Sequence, residues 1–213
     1  MAETTVDIWI PHGFMAMPLT DIERRIGVAQ EIVGEMRPST MKSMAEAILP
    51  TAATLFAELV HRDARYCGIG RHLTSDGNPI TSCITICVYE TGGEKINPRL
   101  ALTNLVESRA ESGETYDIEM VEVDGRPMMF AERVTELPTP ELPGRPYVSN
   151  ATATYQLEAV VPSNDGSALA AVELSTAAVD YGSEFRKMMV DMAQSIEFRA
   201  HRRSTSRPSS LDL

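Results

Sequence analysis

The side chains of this chain best suited to nucleophilic, redox or metal chemistry are Cys67, Cys83, Cys87, His12, His61 with Asp63, and His72 with Asp76. Cys83 and Cys87 stand four residues apart on a strand-like stretch, about 13 Å at about 3.3 Å per residue, so they can neither bridge each other nor share a metal. Cys67, on the facing strand of the same hairpin, approaches Cys87 only if the turn sets that register. The thiols therefore read as small buried hydrophobes. A catalytic histidine needs an orienting carboxylate and a pocket. His12 lies in a Pro-His-Gly turn and His72 near a polar hairpin tip, both expected to be solvated, and His61-Arg62-Asp63 is common helix-end composition. Gly68-Ile69-Gly70 lacks the third glycine and the following helix of a dinucleotide fingerprint, and marks a bulge or a close backbone approach. The expectation is no catalytic residue, no cofactor and no metal.

The elements around these residues follow from period and punctuation. Val6, Ile8 and Ile10 alternate with Asp7 and Trp9, giving a half-buried strand over 4–10 ended by Pro11-His12-Gly13. Trp9 then faces away from Val6 and Ile8, and is either covered by a second layer or exposed for partner contact. Thr20-Asp21-Ile22-Glu23 has capping-box spacing ahead of a helix with Ile22, Ile26, Ala29, Val33 and Met36 on one face. Ser39 or Thr40 caps the next helix, whose expected inward stripe is Met41, Met44, Ile48, Ala52, Leu55 and Leu59. Pro50 leaves that stripe in phase, which predicts a kinked helix or two collinear ones.

From about Tyr66 the period becomes two. Hairpins are expected over 65–74 and 80–90, 115–123 and 128–136, and 151–161 and 168–176, around Asp76-Gly77, Asp124-Gly125 and Asp165-Gly166. Asn97-Pro98 opens a helix through about Ala110. The proline-rich Leu137–Pro146 reads as a crossover loop. A closing helix, capped by Asp180 or Ser183, carries Phe185, Met188, Met189, Met192 and Ile196 across a sheet containing Val172 and Leu174.

At 213 residues, 43% hydrophobic, the chain can bury one sizeable core, and residues 1–198 read as a single domain. The net charge is −11. In 199–213 four arginines face only Asp212, so this stretch is +3 and the rest is −14; it reads as a disordered basic tail. An acidic body repels phosphate backbones, which argues against nucleic acid as a partner of the folded part. No secretory leader is seen at the amino terminus, no later stretch reaches spanning length, and three cysteines fit a reducing compartment, so a cytoplasmic protein without membrane attachment is expected.

The order strand, two helices, hairpin, helix, hairpin, hairpin, helix, with the opening VDIWIPHGF and the ending AVELSTAAVDYGSEFRKMMVDMAQSIEF, resembles the PsbP-like and DcrB-like superfamily, including uncharacterised PsbP-like proteins of actinobacteria. The resemblance implies an α+β fold in which an antiparallel sheet of about six or seven strands is sandwiched by helices. It also implies a binding role, since superfamily members include photosystem accessory subunits, a small-GTPase-binding factor and chaperones. No catalytic set carries over.

Flexible thioethers suit surfaces that re-pack around varied apolar partners, although methionines at helical spacing also simply fill cores. Trp9, Met15, Met17, Met41 and Met44 are the candidate partner-binding residues. The expected function is a non-enzymatic adaptor, chaperone or immunity-type protein whose partner is another protein. The rival is a small-molecule binder or enzyme with its pocket near Cys67, His72 and Tyr89. Self-association through a sheet edge, giving a dimer, is a third possibility.

Overall fold

In the computed structural model, residues 3–92, 94–113, 115–138 and 151–201 are described. The chain forms β1 (Glu3–Asp7), β2 (Phe14–Ala16), α1 (Ile22–Glu35), α2 (Thr40–His61), β3 (Ala64–Leu73), β4 (Pro79–Glu90) and α3 (Pro98–Glu111). There follow β5 (Asp117–Val123), β6 (Arg126–Pro138), β7 (Ala151–Pro162), β8 (Ala168–Thr176), a 3₁₀ segment Val179–Phe185, α4 (Arg186–Gln194) and β9 (Glu197–His201). Seven strands form one antiparallel sheet in the order β2-β3-β4-β8-β7-β6-β5, and β1 pairs with β9. This is the expected α+β architecture of sheet and helices.

The three hairpins form where two-residue alternation meets a turn that tolerates positive φ. At the tightest, Asp124 and Gly125 take φ of 52° and 77°, matching the primed turn that fits the twist of its strands. On one sheet face Ile84, Ile86, Leu157, Val172 and Leu174 pack under α4 and the 3₁₀ segment, against Phe185, Met189, Met192 and Ile196. On the other face Leu102 of α3 packs on Met129, Ala131, Val160 and Ala171. The centre of the sheet is thus dry on both sides, so Val160 and Val161 are both buried although they point in opposite directions.

Several local expectations are corrected. α1 opens after Asp21 at φ 51° with no side-chain cap, so the capping box does not form. The Ser39 cap does form, and α2 runs unbroken through Pro50. Gly68 and Gly70 mark close approaches: a Cβ at Gly68 would lie 2.4 Å from the Tyr66 hydroxyl and one at Gly70 2.7 Å from the Phe14 ring. The strand at the amino terminus ends at Asp7, yet Val6, Ile8 and Ile10 all reach the core.

The closing helix stops at Gln194, short of Ile196, and no Asp180 or Ser183 cap is made because a 3₁₀ turn precedes it. Beyond it, β9 pairs Phe198 with Val6 and Arg199 with Thr5. Residues 199–201 therefore belong to the fold rather than to a tail, with Arg199 ion-paired to Asp7; 202–213 lie outside the described residues. β6 and β7 are antiparallel neighbours with Pro138 opposite Ala151; the expected crossover loop falls largely on residues 139–150, which lie outside the described residues.

Candidate partner-binding surface

α1 and α2 form a helical hairpin that stands against the β3 end of the sheet. Its tip is tied by Lys42 Nζ, which donates to the carbonyls of Gly34 (2.8 Å) and Met36 (3.2 Å). Val33 and Phe56 are its buried residues, and the half-buried Ile22, Ile26, Ala29 and Met36 follow the face expected for α1. For α2 the expected face holds only in part: Met44, Ala52 and Leu59 are half-buried. Met41, Ile48 and Leu55, read as inward, are 70%, 43% and 53% exposed. They form one line along the helix at seven-residue intervals; Val28 and Ile32 of α1 and Val60 of α2 are exposed as well. A helix apolar on nearly every side has no phase from which its inward face can be read.

This helix also corrects the expectation that no stretch reaches spanning length. Thr40–His61 has 22 residues and contains an 18-residue stretch of mean hydropathy 1.3, long and apolar enough to cross a bilayer by length and composition. It is packed along α1 and little of it is buried.

The five candidate partner-binding residues do not form one site. Trp9 is 49% exposed, so no second layer covers it, and its amide donates to Ser195 Oγ at 3.0 Å beside the β1–β9 pair. Met15 is exposed and Met17 half-buried on the edge strand β2 and just beyond it. Met41, exposed, and Met44, half-buried, sit at the tip of the helical hairpin, about 25–30 Å along α2 from the end that leads to β3. Most of the remaining methionines are core: Met128, Met129, Met189 and Met192 are fully buried.

Nor do Cys67, His72 and Tyr89 share a pocket. His72 lies on the α4 face, half-buried between the rings of Phe14 and Phe185, with a 2.8 Å hydrogen bond to Ser82 Oγ. Burial pushes its pKa down. It is not the solvated residue expected, and Asp76, its presumed carboxylate, accepts from Tyr181 Oη at 3.3 Å. Cys67 and Tyr89 occupy the opposite face, as the register of their strands requires. His12 and His61 are exposed.

The β3–β4 register pairs Ile69 with Cys83 and Cys67 with Thr85. Cys67 therefore meets Cys83 diagonally, with the sulfurs 4.0 Å apart, instead of approaching Cys87. The contact lowers the Cys67 pKa and raises that of Cys83, since one thiol donates to the other.

A cleft of about 520 Å³ opens between β5, β6 and α4, lined by Val121, Val123, Phe130 and Val190 with Glu132 and Arg186. Glu132 is already engaged: Tyr155 Oη donates to it at 2.6 Å and Arg186 Nε at 3.0 Å. On the α3 face Arg109 and Glu158 form a mostly buried ion pair, with Arg109 over the Tyr116 ring. These charged groups hold elements together, and their long-range partners gave no signal in the sequence.

The fold thus defines an α+β protein with a two-sided antiparallel sheet and an added apolar helical hairpin. No protein-family model matches the chain, and no curated protein matches it.

Proposed function

We propose that this is a non-enzymatic protein that binds another protein, with the α1–α2 hairpin as the docking surface. The observation that carries this reading is the line of Met41, Ile48 and Leu55 turned to solvent along α2, on a hairpin whose α1 also exposes Val28 and Ile32. Contiguous apolar surface of this kind mostly marks contact with a macromolecule, because leaving it in water costs about 25 cal/mol per Å². The resemblance of the chain ends to PsbP-like and DcrB-like proteins, which implies a binding role, agrees with it. An adaptor or chaperone in the cytoplasm is the form of this role we favour.

A membrane is the second reading, favoured by the length and hydropathy of α2. Against it, insertion would strip α2 from α1, which carries Glu23, Arg24, Arg25, Glu31 and Glu35 along the hairpin, and an acidic body is repelled by anionic lipid.

The test places a photo-crosslinking residue at position 48, with position 119 on the far edge strand as control. A defined protein adduct from position 48 alone, lost in an Ile48→Glu/Leu55→Glu background, is the expected result. Adducts of equal yield from both positions, or co-flotation with vesicles in place of a protein adduct, would overturn the proposal.

A further inference from the structure

We propose that α2 is the interface of a symmetric dimer, in which the α2 helices of two copies of this chain pack antiparallel about a two-fold axis near Pro50. Resting on the α1–α2 hairpin as docking surface, this names the molecule that covers α2 when no other partner is bound. Met41, Ala45, Ile48, Ala52, Leu55 and Leu59 follow one another at alternating steps of four and three residues, which is the repeat of a helix–helix seam. The stripe runs about 27 Å along the helix. Met41, Ile48 and Leu55 are its exposed members, and Ala45, Ala52 and Leu59 are half-buried beside them. α1 therefore leaves half of a complete seam uncovered.

Side-chain size sets the direction. In a parallel pair each residue meets its own copy, so Ile48 and Leu55 crowd their layers while Ala45 and Ala52 leave theirs hollow. Antiparallel pairing centred on residue 50 sets Ala45 against Leu55, Ile48 against Ala52 and Met41 against Leu59 of the second copy. Every layer then joins an exposed large side chain to a half-buried partner. Alanine opposite Leu or Ile brings the helix axes to the short end of the usual range of about 8–10 Å. Charge agrees with a second copy as the occupant. Both carboxylates of α2 are already paired along the helix, Glu46 with Lys42 at 3.9 Å and Glu58 with Arg62 at 2.8 Å, so a basic partner meets no unpaired carboxylate there. Antiparallel packing also sets the tip of each hairpin at the base of the other. The two acidic bodies then lie at opposite ends of the seam, about 27 Å apart along it and beyond the Debye length of about 8–10 Å. Side by side, as a parallel pair requires, they repel. The two-fold axis closes the assembly at two chains.

A single helix pair is smaller than the roughly 800 Å² per partner of a standard interface, so the dimer is weak and adds little to stability at the micromolar concentration of an unfolding melt. Sedimentation equilibrium of the purified full chain, from micromolar to submillimolar concentration, should show the mass rising from one chain to two and no further. Ile48→Glu/Leu55→Glu, with an unchanged circular dichroism spectrum, should stay at one chain throughout. Met120→Glu, at an exposed methionine of β5, should associate as the native chain does. A short bis-maleimide should join two copies of Thr51→Cys, which stand across the axis. It should not join Ser43→Cys, whose copies lie about 20 Å apart along the seam. Both are read above the unmodified chain, whose own cysteines are buried or half-buried. A single-chain mass across the whole range, undiminished association in Ile48→Glu/Leu55→Glu, or equal crosslinking from both introduced cysteines would each overturn the proposal. If the chain is monomeric and position 48 still yields a foreign adduct, the dimer falls and the docking surface stands; if position 48 yields no adduct of any mass, both fall.

Discussion

Tyr155 Oη donates a 2.6 Å hydrogen bond to the carboxylate of Glu132 on the neighbouring strand, and Arg186, the first residue of α4, closes over the same carboxylate. The contact joins β6, β7 and α4. Arg186 first, and Tyr155 after it, hold the Glu132 pKa below the usual carboxylate range. A depressed folded pKa contributes stability that is present above the unfolded value, about 4.3, and lost as pH falls through the folded one. Because Arg186 is largely exposed, Glu132→Gln should cost only about 1 kcal/mol at pH 7. Urea unfolding from pH 7 to pH 3 should show this gap shrinking below about pH 4. A gap that stays constant would mean that charge plays no part.

Met189 and Ile196 are fully buried in the core between α4 and the sheet. Met189→Asp or Ile196→Asp forces an unpaired carboxylate into that layer and should cost more than about 4 kcal/mol, unfolding the domain. Met189→Ala should cost about 2–5 kcal/mol. Circular dichroism melts decide this, and a well-folded Ile196→Asp protein would show the core to be elsewhere.

Two turn glycines separate strain from collision. Gly166 has φ +66° and a Cβ there would fall 1.7 Å from the Ile96 carbonyl oxygen; Gly125 has φ +77° and nothing within 4 Å. Gly125→Ala should cost about 1 kcal/mol from the left-handed backbone alone. Gly166→Ala should cost about 3 kcal/mol or more, because the β7–β8 turn must lift off the segment leading into α3. Equal losses in denaturant midpoint would contradict this seating.

The orientation of α2 is checked by an exposed and a buried side of one helix. Ile48→Glu and Leu55→Glu, on the exposed line, should change stability by no more than about 0.5 kcal/mol. Phe56→Ala, at a buried position one residue along, should cost about 3 kcal/mol or more. The reverse ranking in thermal melts would restore the inward stripe read from the sequence.

Much of the fold was legible along the chain. Alternation of period two, broken by Asp76-Gly77, Asp124-Gly125 and Asp165-Gly166, located three hairpins to within a few residues. Ser39 and Asn97 cap α2 and α3 as their positions suggested, and the apolar face from Phe185 to Met192 was found because helix period and burial coincide there. The candidate surface was legible only in part. Met41 reads from the sequence both as part of the inward stripe and as a partner-binding residue, while Ile48 and Leu55 read as core.

What the sequence by itself determined is therefore whatever depends on neighbours in the chain: turn chemistry, caps, and the choice between strand and helix. Tertiary structure decided what depends on distant partners. It turned Met41, Ile48 and Leu55 outward, since α1 and the sheet have room for only one side of α2. It brought Arg199 to Asp7 and made a strand of Glu197–His201, because only the far end of the chain supplies β1. It set Cys67 against Cys83 rather than Cys87, because a register slip of two residues keeps every side chain on its face and leaves the alternation unchanged.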